Sequence, residues 1–79
     1  MKLKKEHKEK YIQLGLSIAY HRKKRGLTQE GLAEMINVSR THISNIEATK
    51  VDKSVSLDVL FDISDALEVS PGMLFDIRF

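Results

Sequence analysis

The chain is 79 residues long, with 42% hydrophobic and 30% charged residues, which is a globular composition and not that of a disordered segment. There is no cysteine, which excludes disulfides and thiolate metal sites as supports for so small a core, and no apolar run approaches the ~20 residues of a membrane-spanning helix. The net charge of +2 hides an asymmetry: residues 1–26 sum to +7, residues 27–56 to −1 and residues 57–79 to −4. A basic end of this kind can steer a chain toward a polyanion while the acidic end faces away, the alternative being a solvated tail.

Length and composition predict one domain over 1–79, with a basic N-terminal extension at 1–10 and a C-terminal tail at 76–79. The charged start lacks the apolar run of a signal peptide, so a soluble, cytoplasmic protein is expected. In MKLKKEHKEK two readings stay open: an arm that seeks phosphate, or a solvated tail whose Glu6 and Glu9 pair with Lys10 and Lys5. HRKKR at 21–25 is the denser basic cluster.

Few glycines, one proline and no alternating apolar pattern predict an all-α fold of five helices. The first is expected from about Lys8 to Arg25 through Tyr11, Leu14, Ile18 and Arg22, closed by Gly26 in a left-handed conformation. Thr28 caps a second, with Leu32, Ala33, Met35 and Ile36 on one arc, ending at Asn37. Ser39 caps a third, from Arg40 to about Ala48, with Ile43 and Ile46 inward.

A loop at Thr49 to Val55 leads to Ser56, the cap of a fourth helix with Leu57, Leu60, Phe61, Ile63 and Leu67 inward. Asp58, Asp62 and Asp65 then form its solvated face rather than a pair of catalytic acids. Ser70-Pro71 opens a short fifth helix carrying Met73, Leu74 and Phe75.

The stretch TQEGLAEMINVSRTHISNIE has the layout of two helices joined by a tight turn. A small residue is needed where the helices cross, and Ala33 supplies it; the turn needs positive φ, and Asn37 is the best non-glycine choice. On the third helix Arg40, Thr41, Ser44, Asn45 and Ala48 share one polar side opposite Ile43 and Ile46, a face free to enter a major groove.

These residues, with Arg22, Gly26-Leu27-Thr28-Gln29-Glu30, Leu32-Ala33-Glu34, Val38-Ser39-Arg40, Ile43-Ser44, Ile46-Glu47, Leu57, Leu60, Ala66-Leu67 and Val69-Ser70, resemble the Cro/C1-type (XRE-like) helix-turn-helix family of phage repressors and small bacterial regulators. The resemblance runs from about Leu14 to Phe75 and implies a five-helix lambda-repressor-like domain with the motif in helices 2 and 3. It departs from the pattern at His21, at Gly31, at Thr49 and in the long connection VDKSVS.

The resemblance and the side-chain chemistry together assign base contacts to Arg40, Thr41, Ser44 and Asn45: Arg40 suits guanine, Asn45 adenine and Thr41 a thymine methyl. Phosphate contacts fall to Gln29, to Thr28 and Ser39, which also serve as caps, and to Lys50 and Lys53, whose alternative is simple solvation. The resemblance implies a structural ion pair between Arg22 and Glu47.

Met73, Phe75, Ile77 and Phe79 give the C-terminus more apolar surface than the core needs, either as a homodimer interface or folded back on the first helix. The expected function is sequence-specific binding of double-stranded DNA, with a pseudo-palindromic operator, by a homodimeric repressor or autoregulator. The alternative is an antitoxin-like module whose main task is to mask a protein partner. No enzyme activity, metal, cofactor, membrane or small-molecule ligand is expected: His7, His21 and His42 are too far apart for a short ligand motif, and no glycine-rich phosphate loop is present.

Overall fold

The computed structural model describes residues 4–48 and 55–76. A single 3-10 turn, Lys5–His7, runs into α1 (Lys8–Lys24); α2 (Gln29–Ile36), α3 (Arg40–Glu47), α4 (Leu57–Leu67) and α5 (Pro71–Phe75) follow. No strand occurs among the described residues.

The starts of α2, α3, α4 and α5 follow one rule, which α1, preceded by His7 without a side-chain cap, does not share. Thr28, Ser39, Ser56 and Ser70 each hold extended backbone and accept, through the side-chain oxygen, an N–H of the first turn, from Gly31 (2.9 Å), His42 (3.0 Å), Val59 (3.2 Å) and Met73 (3.3 Å). Pro71 stands in the first turn of α5, where its missing N–H costs nothing.

Three of the helix ends also share a device. Gly26 (φ 79°), Asn37 (φ 59°) and Glu68 (φ 57°) turn left-handed, and the next N–H, of Leu27, Val38 or Val69, bonds back to the carbonyl of Arg22, Ala33 or Ser64 at 3.0–3.1 Å. Each of those following residues packs against the core, so the closing turn also supplies apolar cover. The third of these turns was not expected, because a left-handed glutamate has no sequence signature comparable with glycine or asparagine.

The core is one cluster: Leu14 and Ile18 from α1, Leu32 and Ala33 from α2, Ile43 from α3, Leu60, Ile63, Ala66 and Leu67 from α4, and Leu74 from α5. Buried Ser64 fits among them because its hydroxyl donates to the Phe61 carbonyl at 2.8 Å. Three positions read as inward are not: Leu57 is 60% exposed, Phe61 46% and Met35 52%. Each sits at the edge of its helix's apolar arc. In a small domain the few neighbouring helices cover only the centre of that arc, here Leu60, Ile63 and Leu67 on α4 and Leu32 and Ala33 on α2.

α1 and α3 meet at a glycine. A Cβ on Gly15 would overlap the carbonyl oxygen of Ile46 and stand 3.3 Å from the Cα of Glu47, so the two backbones approach as closely as they do only because position 15 has no side chain. That contact sets the C-terminal end of α3 directly on α1.

Candidate nucleic-acid interface

α3 has two chemically distinct sides. Ile43 is fully buried and Ile46 packs against the core, while Arg40, Thr41 and Asn45 are exposed and Ser44 is half-buried. The core thus fixes the rotation of the helix and leaves outward one side of donors and acceptors with an arginine at its first residue. Thr28 and Ser39 are exposed at the starts of α2 and α3, with their side-chain oxygens engaged as caps.

The end of α3 is tied to α1 and α2 through Glu47. Arg22 Nε donates to Glu47 Oε2 at 2.8 Å and Arg22 NH2 to Oε1 at 3.0 Å, a two-point pair whose side chains are only 8% and 5% exposed. The remaining guanidinium nitrogen, NH1, donates to the Leu27 carbonyl at 2.7 Å. Arg22 therefore joins the end of α1, the α1–α2 turn and the end of α3 in one network.

Gln29 belongs to the same network, since its Nε2 donates to Glu47 Oε1 at 3.1 Å. Sequence reasoning placed Gln29 at the start of α2 but missed this bond, which depends on the two helix ends meeting in space. It missed the Gly15 contact for the same reason, and also Arg25, whose Nε donates to the Ala66 carbonyl at 3.2 Å and whose guanidinium pairs with Glu68. The one available signal for Arg25 was a cation close in sequence to a glycine helix ending.

Other assigned residues divide by position. Met73 and Phe75 are 48% and 50% exposed on α5. Lys50 and Lys53, Ile77 and Phe79, and the first three residues of the basic extension lie outside the described residues. Among the described residues no cluster of three or more His, Asp or Glu is placed to hold a metal ion, and no helix is long and apolar enough to cross a membrane.

A family model described as Helix-turn-helix matches residues 18–74, from the middle of α1 to the fifth helix. The chain belongs to the Cro/C1-type helix-turn-helix family. Among solved structures this family member is similar to the restriction-modification controller protein C.AhdI from Aeromonas hydrophila, at 28% identity and a TM-score of 0.76, covering 82% of this chain and 96% of that one. It is similar also to the clp gene regulator ClgR from Corynebacterium glutamicum, at 29% identity and a TM-score of 0.77, covering 84% and 82%. The restriction-modification controller protein C.Esp1396I is 33% identical, with a TM-score of 0.74 over 85% of this chain and 84% of that one. The same controller in a nucleoprotein complex matches with a TM-score of 0.72. No curated protein gives a significant sequence match. With its all-α fold and this membership, the chain is a DNA-binding transcriptional regulator.

Proposed function

We propose that the protein is a sequence-specific repressor or autoregulator that inserts α3 into the major groove of duplex DNA. The observation that carries this is the outward polar side of α3, Arg40, Thr41, Ser44 and Asn45, held at a fixed rotation by buried Ile43 behind it. Arg40 pairs with the O6 and N7 of a guanine, Asn45 with the N6 and N7 of an adenine, and Thr41 touches a thymine methyl or bonds a base edge; Ser44 assists. Gln29 and the cap hydroxyls of Thr28 and Ser39 bond backbone phosphates and set the register of the helix, with Lys50 and Lys53 adding charge.

The protein acts as a homodimer through the exposed Met73 and Phe75 of α5, with Ile77 and Phe79 beyond them, because a paired α3 reads a pseudo-palindrome and doubles the contacts. It works in the cytoplasm, where the DNA is, without catalysis. C.Esp1396I in its nucleoprotein complex supports binding to nucleic acid, and the controller proteins support the regulatory role.

Selection from a pool of random duplexes tests the reading. The expected result is enrichment of two inverted half-sites with centres about one helical turn, ~34–36 Å, apart. Recovery of unenriched sequence, with a protein partner copurifying instead, would move the protein to the interaction-module class.

A further inference from the structure

Glu47 does more than balance Arg22. We propose that it is a positioning residue for DNA binding, one that aims the carboxamide of Gln29 so that an N–H faces the backbone phosphate; this rests on the reading of Gln29 as a phosphate contact.

The argument is one of donors and acceptors. A carboxamide presents two N–H donors on one side and an acceptor oxygen on the other, and a free Gln has little preference for which side it turns outward. A phosphate only accepts, so half of those orientations are useless for binding it. Glu47 is also acceptor-only, which forces Nε2 and not Oε1 of Gln29 toward it, at 3.1 Å. One Nε2 hydrogen is used there and the second remains on the same nitrogen, directed away from Glu47, for an acceptor outside.

The surroundings make the arrangement stiff and electrically tolerable. Glu47 is itself immobilised by two bonds from Arg22, so the fixed point that Gln29 grips does not wander. Its Oε1 accepts from both Arg22 NH2 and Gln29 Nε2, and the guanidinium neutralises a carboxylate that would otherwise repel an approaching phosphate. A side chain held in the binding orientation before DNA arrives saves the ordering cost at the encounter. The scaffold pair and the phosphate contact are thereby one unit.

The test measures affinity for a random-sequence 20-base-pair duplex, over a series of salt concentrations, for the parent, Gln29→Ala, Glu47→Asp and the double variant, each corrected for its folded fraction. Asp at 47 keeps the charge for the long Arg22 side chain to follow but withdraws the acceptor from the shorter Gln29. Each single substitution is expected to weaken binding about tenfold, the double variant no more than either single, and the slope against salt is expected to stay unchanged because a neutral amide releases no counterion. In the free parent protein the Gln29 side-chain nitrogen is expected to be nearly as ordered as backbone, with an NMR order parameter of about 0.8.

If Gln29→Ala binds as tightly as the parent, the phosphate reading fails and the positioning role with it. If Gln29→Ala weakens binding but Glu47→Asp does not, or the two losses multiply to about a hundredfold, the positioning role alone is overturned. An order parameter below about 0.6 for Gln29 overturns it as well, and that measurement decides the matter without any variant should Glu47→Asp not fold.

Discussion

Arg22→Ala is expected to cost about 3–5 kcal/mol and to lower the unfolding midpoint sharply. The substitution strands the Glu47 carboxylate, whose side chain is 5% exposed, without the cation that makes its burial tolerable, and removes the donor to the Leu27 carbonyl in the same step. A domain of this size has a total stability of about 5–10 kcal/mol, so one such loss takes up roughly a third or more of it. Urea denaturation followed by circular dichroism reads the effect directly. Replacing both partners by apolar residues, as in Arg22→Met with Glu47→Leu, is expected to recover much of the stability, because no charge is then left buried. A midpoint for Arg22→Ala within ~0.5 M urea of the parent would mean that the pair is dispensable.

Gly15→Ala is the second large effect expected, about 3 kcal/mol of destabilisation from a single added methyl group. Ala is ordinarily the better helix residue by roughly 1 kcal/mol, so helix propensity alone predicts stabilisation at this position in the middle of α1. The structure reverses the sign: the new Cβ overlaps the Ile46 carbonyl oxygen, a backbone atom that can move only if α3 moves with it. Displacing α3 also shifts Glu47 away from Arg22 and Gln29, so the variant is expected to lose DNA affinity beyond its loss of folded fraction. Thermal unfolding of Gly15→Ala above the parent midpoint would contradict the close approach.

These two residues mark how much of the molecule its sequence carries in readable form. Caps and turns are local, and so they are legible: Thr28, Ser39, Ser56 and Ser70 announce their helices, and Gly26 and Asn37 the endings, because the chemistry that fixes each lies within five residues. The polar side of α3 is equally local, since the 3.6-residue period sets Arg40, Thr41 and Asn45 opposite Ile43.

What is not legible depends on which elements touch. Gly15 looks like an accident in a helix until Ile46 is seen against it, and Gln29 looks unattached until the end of α3 brings Glu47 beside it. Leu57 and Phe61 fail for the complementary reason: periodicity tells which side of α4 is apolar, but the width of the side that neighbours cover is a property of the packing. The ion pair of Arg22 is an intermediate case. It came from family resemblance rather than from spacing, because 25 residues separate the partners.

The central claim is that α3 reads bases through Arg40 and Asn45, and the ratio of affinities for the selected duplex and a scrambled one tests it most directly. Both residues are exposed on α3 and neither has a role in the core, so Arg40→Ala and Asn45→Ala are expected to melt within ~0.5 kcal/mol of the parent. Each is expected to lower the specificity ratio about 5- to 150-fold, the equivalent of one lost bidentate base contact of ~1–3 kcal/mol. Two folded variants that keep the parent's ratio would contradict the account.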